Sequence, residues 1–146
     1  MKIKPPTYFL GATGLMTALH FYYPVLQWVA PPLSYIGCAL FALGVVAVII
    51  IKKRFDAADT TIKPFEVSSA LLTDGPYRHS RNPIYVCMML GLIGIFIAFG
   101  SLSPVIVIPV FFWIINSRII PVEESMLEDA FGEDYRNFKS GVRRWI

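Results

Sequence analysis

Charge is scarce in this sequence. Only 16% of its 146 residues are Asp, Glu, Lys or Arg, against 55% that are hydrophobic. A soluble domain of this length keeps a high surface-to-volume ratio and cannot hide so much apolar surface, so lipid is the expected solvent. Cysteine is scarce too: Cys38 and Cys87 are the two, and both lie inside apolar runs. On the helix placement argued below they differ in depth by roughly 15 Å, at a rise of about 1.5 Å per residue. A disulfide needs Cα atoms within about 7 Å, so both are read as free thiols. Neither has His or Cys neighbours at metal-ligand spacing, and no metal site is expected. The chain has no Gly-x-Gly, which argues against the tight phosphate-binding turn of a soluble nucleotide fold. It also lacks a stripe of interleaved basic and aromatic residues, so its net charge of +3 does not point to nucleic acid.

What the chain does have is long apolar stretches. They run over approximately 6–23, 33–51, 84–100 and 104–120. The second is nineteen residues without a charge, and spans of about 17 to 25 residues fit a hydrocarbon core about 30 Å thick. The basic start, Met1-Lys2-Ile3-Lys4, imitates a secretory leader. The run behind it leads into Tyr22-Tyr23-Pro24 and Trp28 rather than a small-residue cleavage site, so a retained helix is expected.

The connections carry the topology. Pro24–Pro32 and Ser101-Leu102-Ser103 contain no charge. Charges fall at Lys2 and Lys4, from Lys52 to Arg81, and from Arg118 onward. Four spans place all thirteen basic and all ten acidic residues on one side, and the positive-inside rule makes that side cytoplasmic. The expected fold is therefore an all-α integral membrane domain, residues 1–146. It has four transmembrane helices, a cytosolic loop over 52–83 and an amphipathic C-terminal segment over 121–146. In that segment Val122, Met126, Leu127, Ala130 and Phe131, then Tyr135, Phe138 and Val142, recur at helical spacing. Pro121 suits a first helical turn, and Gly132 is a candidate break. Arg143, Arg144 and Trp145 suit anionic headgroups and the interface. The expected location is the cytoplasmic membrane of a prokaryote, with both termini and the active site facing the cytoplasm.

Two clusters can do chemistry. One is Gly75-Pro76-Tyr77-Arg78-His79-Ser80-Arg81-Asn82-Pro83-Ile84-Tyr85, where the third stretch begins. The other is Asn116, Arg118, Glu123 and Glu124, where the fourth ends. Both fall at cytoplasmic helix ends, and together they offer cations, carboxylates, amides and aromatics at a site half in lipid. Each has a purely structural reading beside the chemical one. Arginines and tyrosines anchor helix ends at interfaces, glutamates complement a helix N-terminus, Asn82-Pro83 makes a turn into a helix, and His79 is a solvated loop residue.

Leu72-Thr73-Asp74-Gly75-Pro76-Tyr77-Arg78, then Ser80-Arg81-Asn82-Pro83-Ile84-Tyr85, resembles the signature of the isoprenylcysteine carboxyl methyltransferase and phospholipid methyltransferase superfamily. So does the tail: Pro121, Glu123-Glu124, Leu127, Phe131-Gly132, Tyr135 and Val142-Arg143-Arg144. The resemblance extends from about Thr60 to the end. It implies a membrane-embedded, S-adenosylmethionine-dependent methyltransferase whose acceptor is a lipophilic small molecule or lipidated group, such as a prenylcysteine carboxylate or a membrane lipid. By position it implies Tyr77, Arg81, Asn82, Tyr85, Arg118, Glu123 and Glu124 for the cofactor. His79 and Glu124 are the candidate proton acceptors for an acceptor that must lose a proton. Asn82 stands where many carboxyl methyltransferases of the superfamily have His, and Cys87 where they often have Gly. Two other readings of the chain are a sterol-reductase-like membrane enzyme using NADPH and a non-catalytic membrane adaptor.

Overall fold

The computed structural model describes residues 4–57 and 70–146, and no β-strand occurs among them. Four rods run back and forth. The first is α1, Pro5–Tyr22, with proline in its first turn, where a missing N–H costs nothing. The second is α2, Ser34–Ala57, and the third is α3, Pro83–Phe99. The fourth is a continuous 29-residue helix from Ser103 to Phe131. Within it a 3-10 turn leads into α4, Val107–Ile114, then a π turn, Ile115–Ile119, then α5, Ile120–Phe131. A last helix, α6, covers Glu133–Gly141. Two of these rods, Ser34–Ala57 and Ser103–Phe131, are long and apolar enough to cross a membrane; Pro83–Phe99 is apolar but shorter.

Glycines set the contact between α2 and α3. A Cβ on Gly37 would strike the backbone of Gly94 and Ala98, and one on Gly44 would lie 2.9 Å from the Cys87 carbonyl oxygen. Gly94 answers from the other side, where an added Cβ would lie 2.7 Å from the Gly37 oxygen. Small residues of this kind let backbones approach closely, which drives helix association where water supplies no hydrophobic force. The opposite face of α2 is left bare, with Ile36, Leu43, Val46 and Ile50 exposed. A second core joins α1, α3 and the fourth rod around Met16, Leu92, Phe111 and Ile115.

The two uncharged connections meet at one end. The N–H groups of Trp28 and Val29 donate to the Gly100 carbonyl, Leu102 N–H donates to Val25, and the Gln27 side-chain amide donates to Phe99 and Val29. Gly100 ends α3 at φ +68°, and a Cβ there would strike the Val29 carbonyl, so a side chain is excluded twice. His20, which had no obvious partner in sequence, lies here with its Nδ1 2.8 Å from Ser101 Oγ and its ring stacked on Phe99. At the other end Arg54 pairs with Asp74 at 2.8 Å, and the rings of Phe55 and Tyr77 meet edge to face. Cys38 and Cys87 are free, as expected.

Pro121 lies in the first turn of α5 and the chain breaks at Gly132, at φ +54°, both as expected; what the expectation lacked is that α5 follows the π turn without interruption and so continues the fourth rod. A proline inside a helix withholds an N–H and crowds the carbonyl of the preceding turn. The π turn just before it provides the wider spacing, with Ile120 N–H bonded back to the Ile115 carbonyl. Of the expected loop over 52–83, the first six residues extend α2, Gly75–Arg78 form a 3-10 turn, and 58–69 lie outside the described residues.

The helix contact predicts a contrast between two glycines. Gly37→Ala forces α2 and α3 apart and should lower the thermal midpoint in detergent, as overpacking costs about 1–3 kcal/mol. Gly14→Ala on α1 meets nothing within 4 Å and should leave the midpoint unchanged or slightly higher. Equal midpoints for the two variants would show that the α2–α3 approach is not tight.

Candidate functional site

The charged end of the bundle holds a knot of side chains built from three segments. Pro83 starts α3, and the residues just before it, Ser80 to Asn82, turn across the end of the fourth rod. Glu123 and Glu124 lie in α5, where the π turn has set their direction. The tail after α6, Val142 to Trp145, leaves the helix, bends at Val142 and Arg144, and folds back between these two.

Glu124 is the centre. It is 6% exposed, and its carboxylate accepts three N–H bonds from two arginines. Arg81 donates to Oε1 at 2.9 Å, and Arg144 donates through Nε to Oε1 at 3.1 Å and through a terminal nitrogen to Oε2 at 2.7 Å. The second terminal nitrogen of Arg81 donates to the Lys139 carbonyl at 2.8 Å, while its Nε is buried without a partner. A buried carboxylate is tolerable only when paired in this way. The Arg144 guanidinium is held still more firmly protonated by its bonds to Glu124. Tyr135, almost fully buried beneath, has its hydroxyl pushed up to about 12, by burial first and then by the Glu124 charge.

The backbone of the tail is stitched down as well. Arg81 N–H donates to the Arg143 carbonyl, and the Asn82 amide and Ser80 hydroxyl both donate to the Arg144 carbonyl. Trp145 donates from its indole to Asn116 Oδ1 at 3.0 Å and packs its ring on Phe112. Beside this knot lies a separate pair: the Tyr85 hydroxyl donates to the Glu123 carboxylate, 2.8 Å from each oxygen. Tyr77 faces the same pair, its hydroxyl proton held well above the usual tyrosine range by burial first, then by the charges of Glu123 and Cys87.

The structure thus gathers Tyr77, Arg81, Asn82, Tyr85, Glu123 and Glu124, and leaves two expected residues apart. Arg118 is exposed, with its guanidinium 5.9 Å from the centre of the Trp113 ring. The π turn sends Asn116 inward to the tail and Arg118 outward. His79 is exposed on the turn after the 3-10 helix, and its backbone N–H donates to the Pro76 carbonyl. Glu124, the other expected proton acceptor, has both carboxylate oxygens occupied by bonds from Arg81 and Arg144. The tail is corrected too: Arg144 and Trp145 turn inward, and only Arg143 faces outward. Arg144 was legible as a tail cation but not as the partner of Glu124, since twenty residues and a chain reversal at Gly132 separate them. Among the described residues no three His, Cys, Asp or Glu side chains gather as a metal site requires.

The family model for phospholipid methyltransferase matches residues 33–134, which covers the Gly75–Tyr85 cluster and Glu123-Glu124 and ends before Tyr135 and the tail. A cobalt-zinc-cadmium resistance protein, CzcN, of Cupriavidus metallidurans is 35% identical over 66 residues, 45% of this chain and 31% of that protein. The chain therefore spans about a third of that relative's length. An uncharacterized protein of Haemophilus influenzae is 33% identical over 63 residues, 43% of this chain and all of that protein. No solved structure matches.

The knot predicts a large stability effect. Glu124→Ala leaves Arg81, whose side chain is 11% exposed, without its counter-charge. Removing one partner of a buried pair costs about 3–5 kcal/mol, well above the cost of an exposed pair. The double variant Arg81→Met/Glu124→Ala should recover part of that loss in a detergent unfolding titration. If the double variant is less stable than the single one, the pair is not coupled.

Proposed function

We propose that this chain, which belongs to the phospholipid methyltransferase family, is a membrane enzyme that transfers a methyl group from S-adenosylmethionine to a lipophilic acceptor. The observation that carries the reading is the match over 33–134 together with the convergence of both motifs on one end of the bundle. The cofactor would supply the electrophilic methyl and its thioether leaving group. The residues present fit such a ligand. Glu123, which among the described residues accepts from Tyr85 alone and whose carboxyl is pushed up to about 7 by burial, has oxygens placed to hold an ammonium or ribose hydroxyls. Tyr77 offers a ring face, and aromatic faces attract cations. The chain's work is to align acceptor and methyl and to exclude water, since orientation supplies much of such a rate enhancement.

The acceptor class follows from the proton acceptors. His79 is exposed on its turn, and Glu124 is neutralised by two guanidiniums. An acceptor that is already ionised, such as a prenylcysteine carboxylate or another acidic lipid group, needs neither. Approach through lipid suits the bare apolar faces of the rods. The metal-resistance name of the Cupriavidus relative describes that protein, and no metal chemistry is proposed for this one.

We read the bundle as four spans with both termini and the site in the cytoplasm. Support comes from the pairing of the two uncharged connections at one end, with the described charges toward the other. In a variant whose own cysteines are replaced by alanine, Leu26→Cys should label only from outside the cell and Ser140→Cys only after permeabilisation. Labelling of both from the same side would overturn this topology.

The activity reading predicts that S-adenosylhomocysteine binds the detergent-purified chain and that NADPH does not. Glu123→Gln should weaken that binding about tenfold to a hundredfold, the equivalent of losing one charge-assisted bond of about 1.5–3 kcal/mol. Saturable NADPH binding without S-adenosylhomocysteine binding would favour the reductase reading instead.

A further inference from the structure

The knot around Glu124 is one anion short. It contains two guanidiniums, Arg81 and Arg144, and one carboxylate. Their side chains are 11%, 33% and 8% exposed, in the order Arg81, Arg144, Glu124, so water screens the surplus positive charge poorly. Two donors show the deficit directly. Arg81 Nε is buried and bonded to nothing. The second terminal nitrogen of Arg144 reaches only the Asn116 amide oxygen, at 3.4 Å, at the outer limit for a hydrogen bond. Buried polar groups in folded proteins are nearly all satisfied, so weakly used donors beside an excess cation point to a further ligand, and of these two only the Arg144 nitrogen lies on a partly open side chain.

We propose that Arg144 is the guanidinium that receives the amino-acid carboxylate of the cofactor. This deepens the methyltransferase reading and rests on it. The other cations of this end are otherwise engaged or placed. Arg81 has both terminal nitrogens committed, to Glu124 and to the Lys139 carbonyl. Arg118 lies outward over Trp113, and Lys139 reaches toward Glu128. Arg78 and Arg143 are exposed. Among the described residues Arg144 combines a partly open side chain, a weakly used terminal nitrogen and a fixed base. Its other two nitrogens are gripped by Glu124, and its own carbonyl is held by Ser80 and Asn82. The carboxylate would bring the knot to charge balance and tie the tail to the ligand. The tail therefore determines affinity through the ligand's amino-acid end and has no part in recognising its nucleoside.

The test compares S-adenosylhomocysteine with 5′-methylthioadenosine, which keeps the nucleoside and thioether and lacks the amino acid. Both are titrated into detergent-purified wild type, Arg144→Gln, Arg144→Lys and Arg136→Gln, with thermal midpoints measured alongside. Arg144→Gln should lose about tenfold to a hundredfold in affinity for S-adenosylhomocysteine, the range for a charge-assisted bond. Its affinity for 5′-methylthioadenosine should stay at the wild-type value. Arg144→Lys keeps the charge without the fork and should fall between, and Arg136→Gln, at an exposed cation on α6, should bind both ligands like the wild type. Equal affinity of wild type and Arg144→Gln for S-adenosylhomocysteine overturns the assignment, as does an equal loss for both ligands. Should Arg144→Gln fail to fold, Arg144→Lys decides by the same comparison. A wild type that binds neither ligand overturns the methyltransferase reading itself, and the assignment falls with it.

Discussion

The burial of one carboxylate organises the charged end of this bundle. Glu124 leaves water inside a helix that is otherwise apolar over most of its length, and that is expensive unless opposite charge comes with it. Arg81 and Arg144 supply it from segments that are forty-three and twenty residues distant. Meeting this demand draws the start of α3, the middle of the fourth rod and the tail into one place. The tail backbone is then held by Ser80, Arg81 and Asn82, and Trp145 finds Asn116. Asn82, which the sequence marks as a turn residue, gives its side chain to the tail rather than to the helix it precedes.

The opposite end and the middle follow a different rule. There the chain has few polar groups to satisfy, and contact geometry decides. Gly37, Gly44 and Gly94 bring α2 against α3 at backbone distance, while the two uncharged connections close on each other through main-chain bonds. Lipid-facing side chains on α2 need no partner from the protein. A closely packed helix pair and a closed far end leave the charged end as the place where ionisable and hydrogen-bonding side chains are concentrated.

Much of this was legible in the sequence. The apolar stretches begin within one residue of each rod, because hydropathy sets where a helix enters, while α2 and the fourth rod run on six and eleven residues past the apolar ends. The motif around Arg81-Asn82-Pro83 and the pair Glu123-Glu124 marked the segments that converge, and the family match agrees with the resemblance read from those residues. What escaped was direction. Pro121 reads as a helix start, and no local rule announces that a π turn lets the helix run through it. That turn separates Asn116 from Arg118, which the sequence groups together. The role of Arg144 depends on a reversal at Gly132, where a left-handed φ turns the chain back on itself. Tail cations beside a tryptophan look like membrane anchors until the partner carboxylate is placed.

The π turn has a consequence for how such a chain can change. Relative to an ordinary helix it holds one additional residue, and each residue turns the following helix by about 100°. Everything beyond Ile119 is therefore phased differently from the apolar segment before it. A substitution within 115–119 alters one side chain, but losing a single residue there would rotate Glu123 and Glu124 together, away from Tyr85 and Arg81. The apolar segment and the acidic pair are in this sense separately clocked, and residue number, as much as residue identity, keeps them in time.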